Sequence, residues 1–303
     1  MIPEQSKYVL FLGGGGFAGA FGLGVLRGFR ERGLRDHISA VYGASAGVLN
    51  GAHFLTGEEE NYLPIFLDPS MSSLVHPENI FKAVWHSWRH GVTHDKKGVD
   101  IFDIETKEKI YRSRKTLDMQ TLQMQSIPLY ATIYNFKNDR VEHVDVRRAT
   151  DPYSLITAAS AAAPLWGQTG FFDGKEYLDG AIKEPLAGEY LLNKYPSSKL
   201  IVVMNDTVTE IQKGNFSGWV EKVLVSRWAR VVMEKNTAKA YAERQKILRE
   251  EYNQLLRHPR VITVTVPEEY SISHFKSKPE KIKKLYDVGL TIGKQVAGQA
   301  ILE

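Results

Sequence analysis

The stretch YVLFLGGGGFAGAFGLGVL, residues 8–26, sets the fold that we expect for the chain. Tyr8–Leu12 is a short, uniformly apolar run, which predicts a buried strand. Four consecutive glycines follow, and an apolar helical pattern then runs from about Gly19 to Arg32. Within this stretch Gly14, Gly16 and Gly19 fit the pattern G-x-G-x-x-G, so the loop predicts a cradle of backbone N–H groups for a negative charge.

The alternation of a strand with a helix continues along the chain. Ile38–Gly43 predicts a second strand and Ala46–Leu55 a second helix, and this order is typical of a parallel sheet covered by helices. Further elements are predicted as a hairpin around Lys137–Asp139, a small-residue helix stopped at Pro164, two short strands around Asp173-Gly174, strands at KLIVVMND and RVITVTVP, and helices over about Phe216–Leu256 and Pro279–Ala300. Without repeats or a clear linker, residues 1–303 predict a single domain, with a core over about 8–205 and a helical extension over about 206–303.

Composition restricts the possible classes of function. The 303 residues are 43% hydrophobic and 24% charged, as in ordinary globular proteins. The chain has no cysteine, which excludes disulfides, thiolate metal sites and thiol catalysis. Its net charge of +4 is spread along the chain, which argues against nucleic-acid binding. The oligomeric state stays open.

Location follows from what the sequence does not contain. The N-terminal segment lacks the basic region and cleavage site of a signal peptide. No stretch approaches the roughly 20 apolar residues of a membrane span. We therefore expect a cytoplasmic protein whose membrane contact, if any, is peripheral, with the lysine-rich stretch KSKPEKIKK as one candidate for such contact.

The motif with the clearest chemistry is Gly43-Ala44-Ser45-Ala46-Gly47, directly after the second strand and before the second helix. This is the pattern G-x-S-x-G, in which a sharp strand-to-helix turn exposes a serine hydroxyl and only small neighbours fit. The N–H groups and dipole of the following helix favour a negative charge near the serine. Ser45 is therefore a candidate nucleophile.

The serine also decides what the glycine loop does. A dinucleotide site needs an acidic residue at the end of the second strand, roughly 20 residues after the glycines. Asp36 lies near that distance but precedes the strand, which ends in Gly43 instead. We therefore expect neither NAD nor FAD, and no cofactor. The loop beside Ser45 is better suited to an oxyanion hole.

A serine nucleophile needs a base, and several candidates follow. Asp173-Gly174 lies between two apolar runs and predicts a tight hairpin turn, so Asp173 is interpreted as structural. Asp179-Gly180 follows a strand, and Asp179 is the preferred base. His258 and His274, the histidines after Asp179, leave a Ser-His-Asp triad as an alternative.

Three histidines form a candidate metal-site pattern. His86, His90 and His94 recur every four residues, as metal ligands on one helix face can. Gly91 and Thr93 weaken such a helix, and no carboxylate is in register. We therefore predict no metal.

Taken together, the motifs resemble the patatin-like phospholipase family. GGGGFAG is similar to its glycine-rich oxyanion loop, GASAG to its nucleophile elbow, and the DGA at residues 179–181 to its Asp-Gly motif. The resemblance covers roughly residues 8–205. It implies an α/β fold of three layers, α/β/α, with a mostly parallel central sheet and a helical C-terminal part.

The same resemblance implies hydrolysis of fatty acyl esters in phospholipids or related lipids by a Ser–Asp dyad, with a lipid ester as the substrate. Carried over by motif, Ser45 is the nucleophile and Asp179 the base. The expected site further comprises the oxyanion donors Gly14, Gly15 and Gly16, the elbow glycines Gly43 and Gly47, and Gly180 of the Asp-Gly motif.

Two positions depart from the family pattern. Ala18 stands where the family usually has Arg or Lys, and Ala181 where a second glycine is common. Ala18 keeps open a catalytically weak or inactive lipid-binding module of the same fold. The aromatic stretch VWHSWRHGV and Leu165–Trp166 are candidates for the walls or lid of an acyl groove.

Overall fold

The structure is a computed structural model that describes residues 7–68, 104–114, 117–161, 169–214, 235–274 and 277–302, with isolated positions at 71, 76, 79, 82, 85 and 89. Its strands are β1 (Tyr8–Leu12), β2 (Ile38–Gly43), β3 (Leu129–Asn135), β4 (Arg140–Asp145), β5 (Gly170–Phe172), β6 (Lys175–Asp179), β7 (Lys199–Thr207) and β8 (Val261–Val266). Its helices are α1 (Gly19–Glu31), α2 (Ala46–Thr56), α3 (Glu59–Leu67), α4 (Ile104–Arg114), α5 (Met119–Met124), α6 (Pro152–Ala158), α7 (Gly188–Lys194), α8 (Val208–Lys213), α9 (Lys235–Leu255) and α10 (Pro279–Leu302).

The strands form one mixed sheet. Its hydrogen-bonded neighbours follow the path β5-β6-β3-β2-β1-β7-β8, and β3 also pairs with β4, so that β3 has three partners. The pairs β2–β3, β1–β2, β1–β7 and β7–β8 are parallel. The pairs of β3 with β4 and β6, and of β5 with β6, are antiparallel. The prediction of a mostly parallel sheet is therefore confirmed.

Both faces of the sheet are covered by helices. Along β1, Leu10 and Leu12 pack into the core formed with α1, α2 and α10. Val9 and Phe11 face the opposite way and pack with residues of α7 and α9. All four side chains are buried, which is why a parallel strand needs an unbroken apolar run. The predicted three-layer α/β/α architecture is confirmed.

One predicted element differs from the observed one. The small-residue helix, predicted up to Pro164, ends at Ala158 (α6). The strand predicted at RVITVTVP is confirmed as β8, which pairs with β7. Of the long helix predicted from Phe216, the described part begins at Lys235, and residues 215–234 lie outside the described residues.

The last helix, α10, packs against α1 at backbone contact. A Cβ at Gly28 would lie 2.6 Å from the Leu290 carbonyl oxygen. On the other helix, a Cβ at Gly293 would overlap the Val25 carbonyl oxygen and lie 2.8 Å from the Val25 Cα. Glycines on both helices thus allow the two backbones to touch, and this contact joins the end of the chain to the helix that follows the glycine loop.

This contact predicts opposite effects of the same substitution on one helix. Gly293→Ala should lower the free energy of unfolding by about 2 kcal/mol, because the added methyl group forces the helices apart. Gly298→Ala, where nothing lies within 4 Å, should raise it by roughly 0.5–1 kcal/mol through helix propensity. Urea denaturation measures both values. Equal effects of the two substitutions would contradict the described packing.

A buried carboxylate joins α9 to the start of α7. Glu251 accepts hydrogen bonds from the backbone N–H groups of Gly188 at 2.6 Å and Leu186 at 3.2 Å. Burial raises the pKa of Glu251 to about 7, and the negative charges of Glu184 and Glu189 add to this rise, while the two hydrogen bonds oppose it. The native state therefore binds a proton more tightly at Glu251 than the unfolded chain does.

The raised pKa has a defined effect on stability. Between the unfolded pKa of about 4.3 and the native value, the native state holds the extra proton, so rising pH lowers the free energy of unfolding. Glu251→Gln is neutral at every pH and should gain up to about 3 kcal/mol relative to the wild type between pH 4 and pH 8. Urea denaturation across this range measures the difference, with the exposed neighbour Glu250→Gln as control. Parallel pH curves for wild type and Glu251→Gln would contradict the assignment.

Candidate active site

Ser45 lies on a sharp turn between β2 and α2. Its backbone has φ 51° and ψ −126°, a conformation that a residue with a side chain seldom adopts. The Ala44 N–H donates to the Leu12 carbonyl at 3.1 Å, which ties the turn to the end of β1. The Ser45 side chain is partly exposed, and its hydroxyl makes no hydrogen bond within the described residues. The predicted turn thus has the geometry of a nucleophile elbow.

Glycine at both flanks is required by space. A Cβ at Gly43 would lie 2.7 Å from the Gly47 carbonyl carbon, and a Cβ at Gly47 would overlap the Leu12 carbonyl oxygen. The first turn of α2 therefore packs directly on the ends of β1 and β2. Only this close approach lets the chain reverse within the two residues between Gly43 and Ala46.

The pairing of β3 brings Asp179 towards the same turn. Ala131 pairs with Gly43 of β2 on one edge and with Val144 of β4 on the other. Ile133 pairs with Asp179 of β6 and, on its other edge, with β4. Since a strand has two edges, β2 and β6 share the edge opposite β4. Their carboxyl ends meet head to head, about 7 Å apart along β3.

Two further contacts tighten this meeting point. The Ser45 N–H donates to the Ala159 carbonyl at 3.0 Å, and the Asp179 N–H donates to the Ala161 carbonyl at 2.7 Å. One short segment after α6 thus holds both backbones. A Cβ at Gly180 would lie 2.5 Å from Thr132 Cγ2, the residue between the two pairing positions of β3. Glycine after Asp179 therefore allows the chain to turn out of the sheet at that point.

Asp179 is buried. Its side chain is 6% exposed, and Oδ1 accepts the Ala181 N–H at 2.9 Å. Tyr241 of α9 lies close enough to interact with this carboxylate. Burial, and after it the negative charge of Asp179, raises the pKa of Tyr241. Arg244, one turn further along α9, donates to the Ala181 carbonyl at 3.1 Å. The sequence did not predict that Tyr241 and Arg244 lie near this site, because neither belongs to a recognisable sequence motif.

Ala181 itself explains why a second glycine is unnecessary there. Its backbone does not have a positive φ, so a side chain is tolerated. It is followed by Ile182 in a short 3₁₀ turn that Asp179 caps.

The glycine loop lies beside the serine. A Cβ at Gly14 would lie 3.0 Å from Ser45 Cβ and 3.7 Å from Ser45 Oγ. Gly15 and Gly16 have φ values of 146° and 52°, which favour glycine. In the described part of the chain, the N–H groups of Gly14, Gly15 and Gly16 donate no hydrogen bond, whereas those of the flanking residues do. The loop thus has three backbone donors without a partner in the described residues, and Gly14 is the glycine that contacts Ser45.

Two elements hold this loop from outside. The Phe17 N–H donates to the His274 carbonyl at 3.0 Å. Asn205, near the end of β7, donates through Nδ2 to the Gly13 and Gly14 carbonyls, each at 2.9 Å. The sequence predicted a strand at Asn205 but no role for its side chain, because a single asparagine in a strand carries no motif.

The alternative residues have other surroundings. Asp173 and Gly174 both have positive φ values, of 47° and 73°, so Asp173 forms the predicted hairpin turn. His258 precedes β8, at the amino end of the parallel strands, and its Nδ1 accepts the Arg260 N–H at 3.2 Å. The Nε2 atom of His274 lies 3.3 Å from Oδ1 of Asp206.

Several predictions fall outside the described residues. These are the positions of His86, His90 and His94, most of the stretch VWHSWRHGV, and Leu165–Trp166. Trp85 and Arg89 are the described members of that stretch, and Trp85 is 60% exposed. Within the described ranges, no group of three His, Asp or Glu side chains has an arrangement that could hold a metal ion.

Ala18 is enclosed in the core and 2% exposed. The position that is usually basic in the family therefore contributes no charge to the loop.

The fold is that of a three-layer α/β protein with a sharp strand–serine–helix turn at the edge of its parallel strands. The family model of patatin-like phospholipases matches residues 10–191, more than half of the chain. The chain therefore belongs to the patatin-like phospholipase family, and this membership implies a lipid acyl hydrolase.

One solved structure is similar to this chain at low sequence identity. Among solved structures, VipD from Legionella pneumophila is similar with a TM-score of 0.47 and 13% sequence identity, over 97% of this chain and 67% of the VipD chain. No curated protein matches the chain significantly. In the residues that the structure describes, no helix has the length and apolar character needed to cross a membrane.

Proposed function

We propose that this protein is a serine acyl hydrolase that cleaves fatty acyl esters of phospholipids or related lipids through Ser45 and Asp179. The observation that supports it best is the meeting of β2 and β6 on one edge of β3, since it directs both residues to one place. Family membership supports the substrate class. We further propose a single domain over residues 1–303, with contact to lipid surfaces that is peripheral.

In the acylation step, Asp179 accepts the proton of the Ser45 hydroxyl as Oγ attacks the ester carbonyl carbon. The carbonyl oxygen becomes an oxyanion, which the N–H groups of Gly14, Gly15 and Gly16 bind. The bond to the alcohol oxygen then breaks, and protonated Asp179 returns the proton to the leaving alcohol. The product of this step is an acyl ester of Ser45.

In the deacylation step, Asp179 accepts a proton from water as the water oxygen attacks the acyl carbon. The same three N–H groups bind the second oxyanion. The bond to Ser45 Oγ breaks, Asp179 returns the proton to Oγ, and a fatty acid leaves. An ordinary aspartate, with a pKa of about 3.9, is a weak base at neutral pH. The proposal therefore rests on the approach of Asp179 to Ser45 inside a buried site, where Asp179 is 6% exposed.

Replacement of the nucleophile gives the first test. Ser45→Ala should lower the hydrolysis of a p-nitrophenyl acyl ester by at least about 10³-fold, because no acyl-enzyme can form. The matched control is Ser39→Ala. Ser39 is a buried serine at the other end of β2, where its hydroxyl donates to the Tyr8 carbonyl at 3.0 Å. This variant should keep activity within about threefold of the wild type.

A fluorophosphonate probe checks the same assignment covalently. The adduct should map to Ser45 by peptide mass spectrometry. An adduct on another residue would overturn the site. Near-zero turnover that is equal in wild type and Ser45→Ala would instead support the inactive lipid-binding module suggested by Ala18.

The dyad and the triad make different predictions for three variants. Asp179→Asn should lower turnover by about 10³-fold or more, since the amide cannot act as a base for the serine proton. His258→Ala and His274→Ala should both retain kcat within about threefold, since the Phe17 N–H donates to the backbone carbonyl of His274, which the substitution keeps. Steady-state kinetics on one short-chain ester measure all three. Residual activity in Asp179→Asn, together with complete loss in one histidine variant, would establish a Ser-His-Asp esterase instead.

A further inference from the structure

We infer that Asn205 is a positioning residue for the oxyanion hole: its side-chain amide turns the N–H groups of Gly14 and Gly15 towards the Ser45 hydroxyl. The inference rests on the proposed function, because it concerns the N–H groups that would bind the oxyanion. It assigns to β7 a part in the chemistry that the three sequence motifs do not include.

The Asn205 amide uses its polar atoms on three partners. Oδ1 accepts the Gly22 N–H at 2.9 Å, and Nδ2 donates to the Gly13 and Gly14 carbonyls at 2.9 Å each. A primary amide has two N–H donors, so both are used. The Gly22 N–H can only donate, which determines which end of the amide faces α1. The side chain is 3% exposed, so water does not compete for these bonds.

Peptide geometry converts these two carbonyl contacts into an orientation of two N–H groups. In a planar trans peptide, the carbonyl of one residue and the N–H of the next point in opposite directions. The Gly13 carbonyl shares its peptide with the Gly14 N–H, and the Gly14 carbonyl shares its peptide with the Gly15 N–H. Because Asn205 holds both carbonyls, both N–H groups point away from it.

The contacts of Gly14 and Gly15 support the serine as the group that these N–H groups face. Gly15 lies against Asn205, since a Cβ at Gly15 would be 2.6 Å from the Asn205 Cβ. Gly14 lies against Ser45 on its other side, at the 3.0 Å separation given above. The loop is thus sandwiched between the amide and the elbow. Without the amide, the two peptides are free to rotate, and glycine has no side chain to oppose that rotation.

Asn50 provides a matched control inside the same core. It is 1% exposed, and its Nδ2 donates to the Gly19 carbonyl at 2.8 Å. Both asparagines flank Gly22, whose Cβ would lie 2.8 Å from Asn205 Oδ1 and 3.2 Å from Asn50 Nδ2. Asn50 differs from Asn205 in one respect that matters here: it holds no carbonyl between Gly13 and Gly16.

The experiment compares Asn205→Ala with Asn50→Ala in the full-length protein, using p-nitrophenyl ester kinetics and thermal unfolding. Asn205→Ala should lower kcat by about 10- to 100-fold with KM within about twofold, because the loss falls on the oxyanion of the transition state. The rate of fluorophosphonate labelling should fall by a similar factor. Both variants should lower the unfolding temperature, because each removes a buried hydrogen bond. Asn50→Ala should nevertheless keep kcat within about threefold of the wild type.

Asn205→Asp provides a second readout that a merely structural role would not change. The ionised carboxylate keeps the acceptor for the Gly22 N–H but has no donor for the two carbonyls. Protonation restores one donor, so kcat of this variant relative to wild type should rise as pH falls from 8 to 5. The variant also serves if Asn205→Ala does not fold.

The outcomes separate the inference from the proposed function. An active wild type with unchanged kcat in Asn205→Ala, or with equal kcat losses in Asn205→Ala and Asn50→Ala, would overturn the inference alone. If Asn205→Ala does not fold, a flat ratio of Asn205→Asp to wild-type kcat across the pH range would overturn it. A wild type without esterase activity would overturn the proposed function and the inference with it.

Discussion

The site depends on one steric constraint, the contact between the first turn of α2 and the ends of β1 and β2. This contact leaves no space for a side chain at Gly43 or Gly47, and it holds the Ser45 backbone at a positive φ. A residue in that conformation persists only when its surroundings determine it. Here the surroundings are backbone groups of β1 and of the segment after α6, so the hydroxyl position is set by backbone contacts from two other parts of the chain.

The same constraint explains why one sheet edge holds the proposed dyad. Because β2 leaves the sheet at Gly43, the edge of β3 beyond Ala131 is vacated, and β6 enters there from the opposite direction. Asp179 and Gly180 then reach the place that β2 has left. Strand pairing thus brings a carboxylate from a distant part of the sequence towards the Ser45 turn.

Much of this arrangement could be predicted from the sequence. The apolar runs at Tyr8–Leu12 and Ile38–Gly43 are unambiguous because a parallel strand is buried on both faces, and their bounds are confirmed. The elbow and the Asp-Gly turn could be predicted because small residues are required at contact distance. The place of β6 on β3 could not, because strand pairing depends on which edge is left open.

The roles of Asn205, Tyr241 and Arg244 were beyond prediction for a different reason. What places each of them at the site is an interaction with a residue that is distant in sequence, and none belongs to a spacing pattern. The packing of α10 on α1 was missed for a related reason, since the glycines of one helix acquire meaning only beside those of the other.

The enclosed alanine at position 18 increases the importance of loop orientation. With no charge from Ala18, the negative charge proposed to form near Ser45 must be stabilised by the N–H dipoles of the loop and by the N-terminal end of α2. A dipole stabilises a charge only when it points at it, whereas a cation does so from any direction. A loop without a cation therefore depends more strongly on whatever fixes the direction of its peptides. In this protein two of those peptides are held by the amide of a buried asparagine, so neutral hydrogen bonds fix the geometry of the loop.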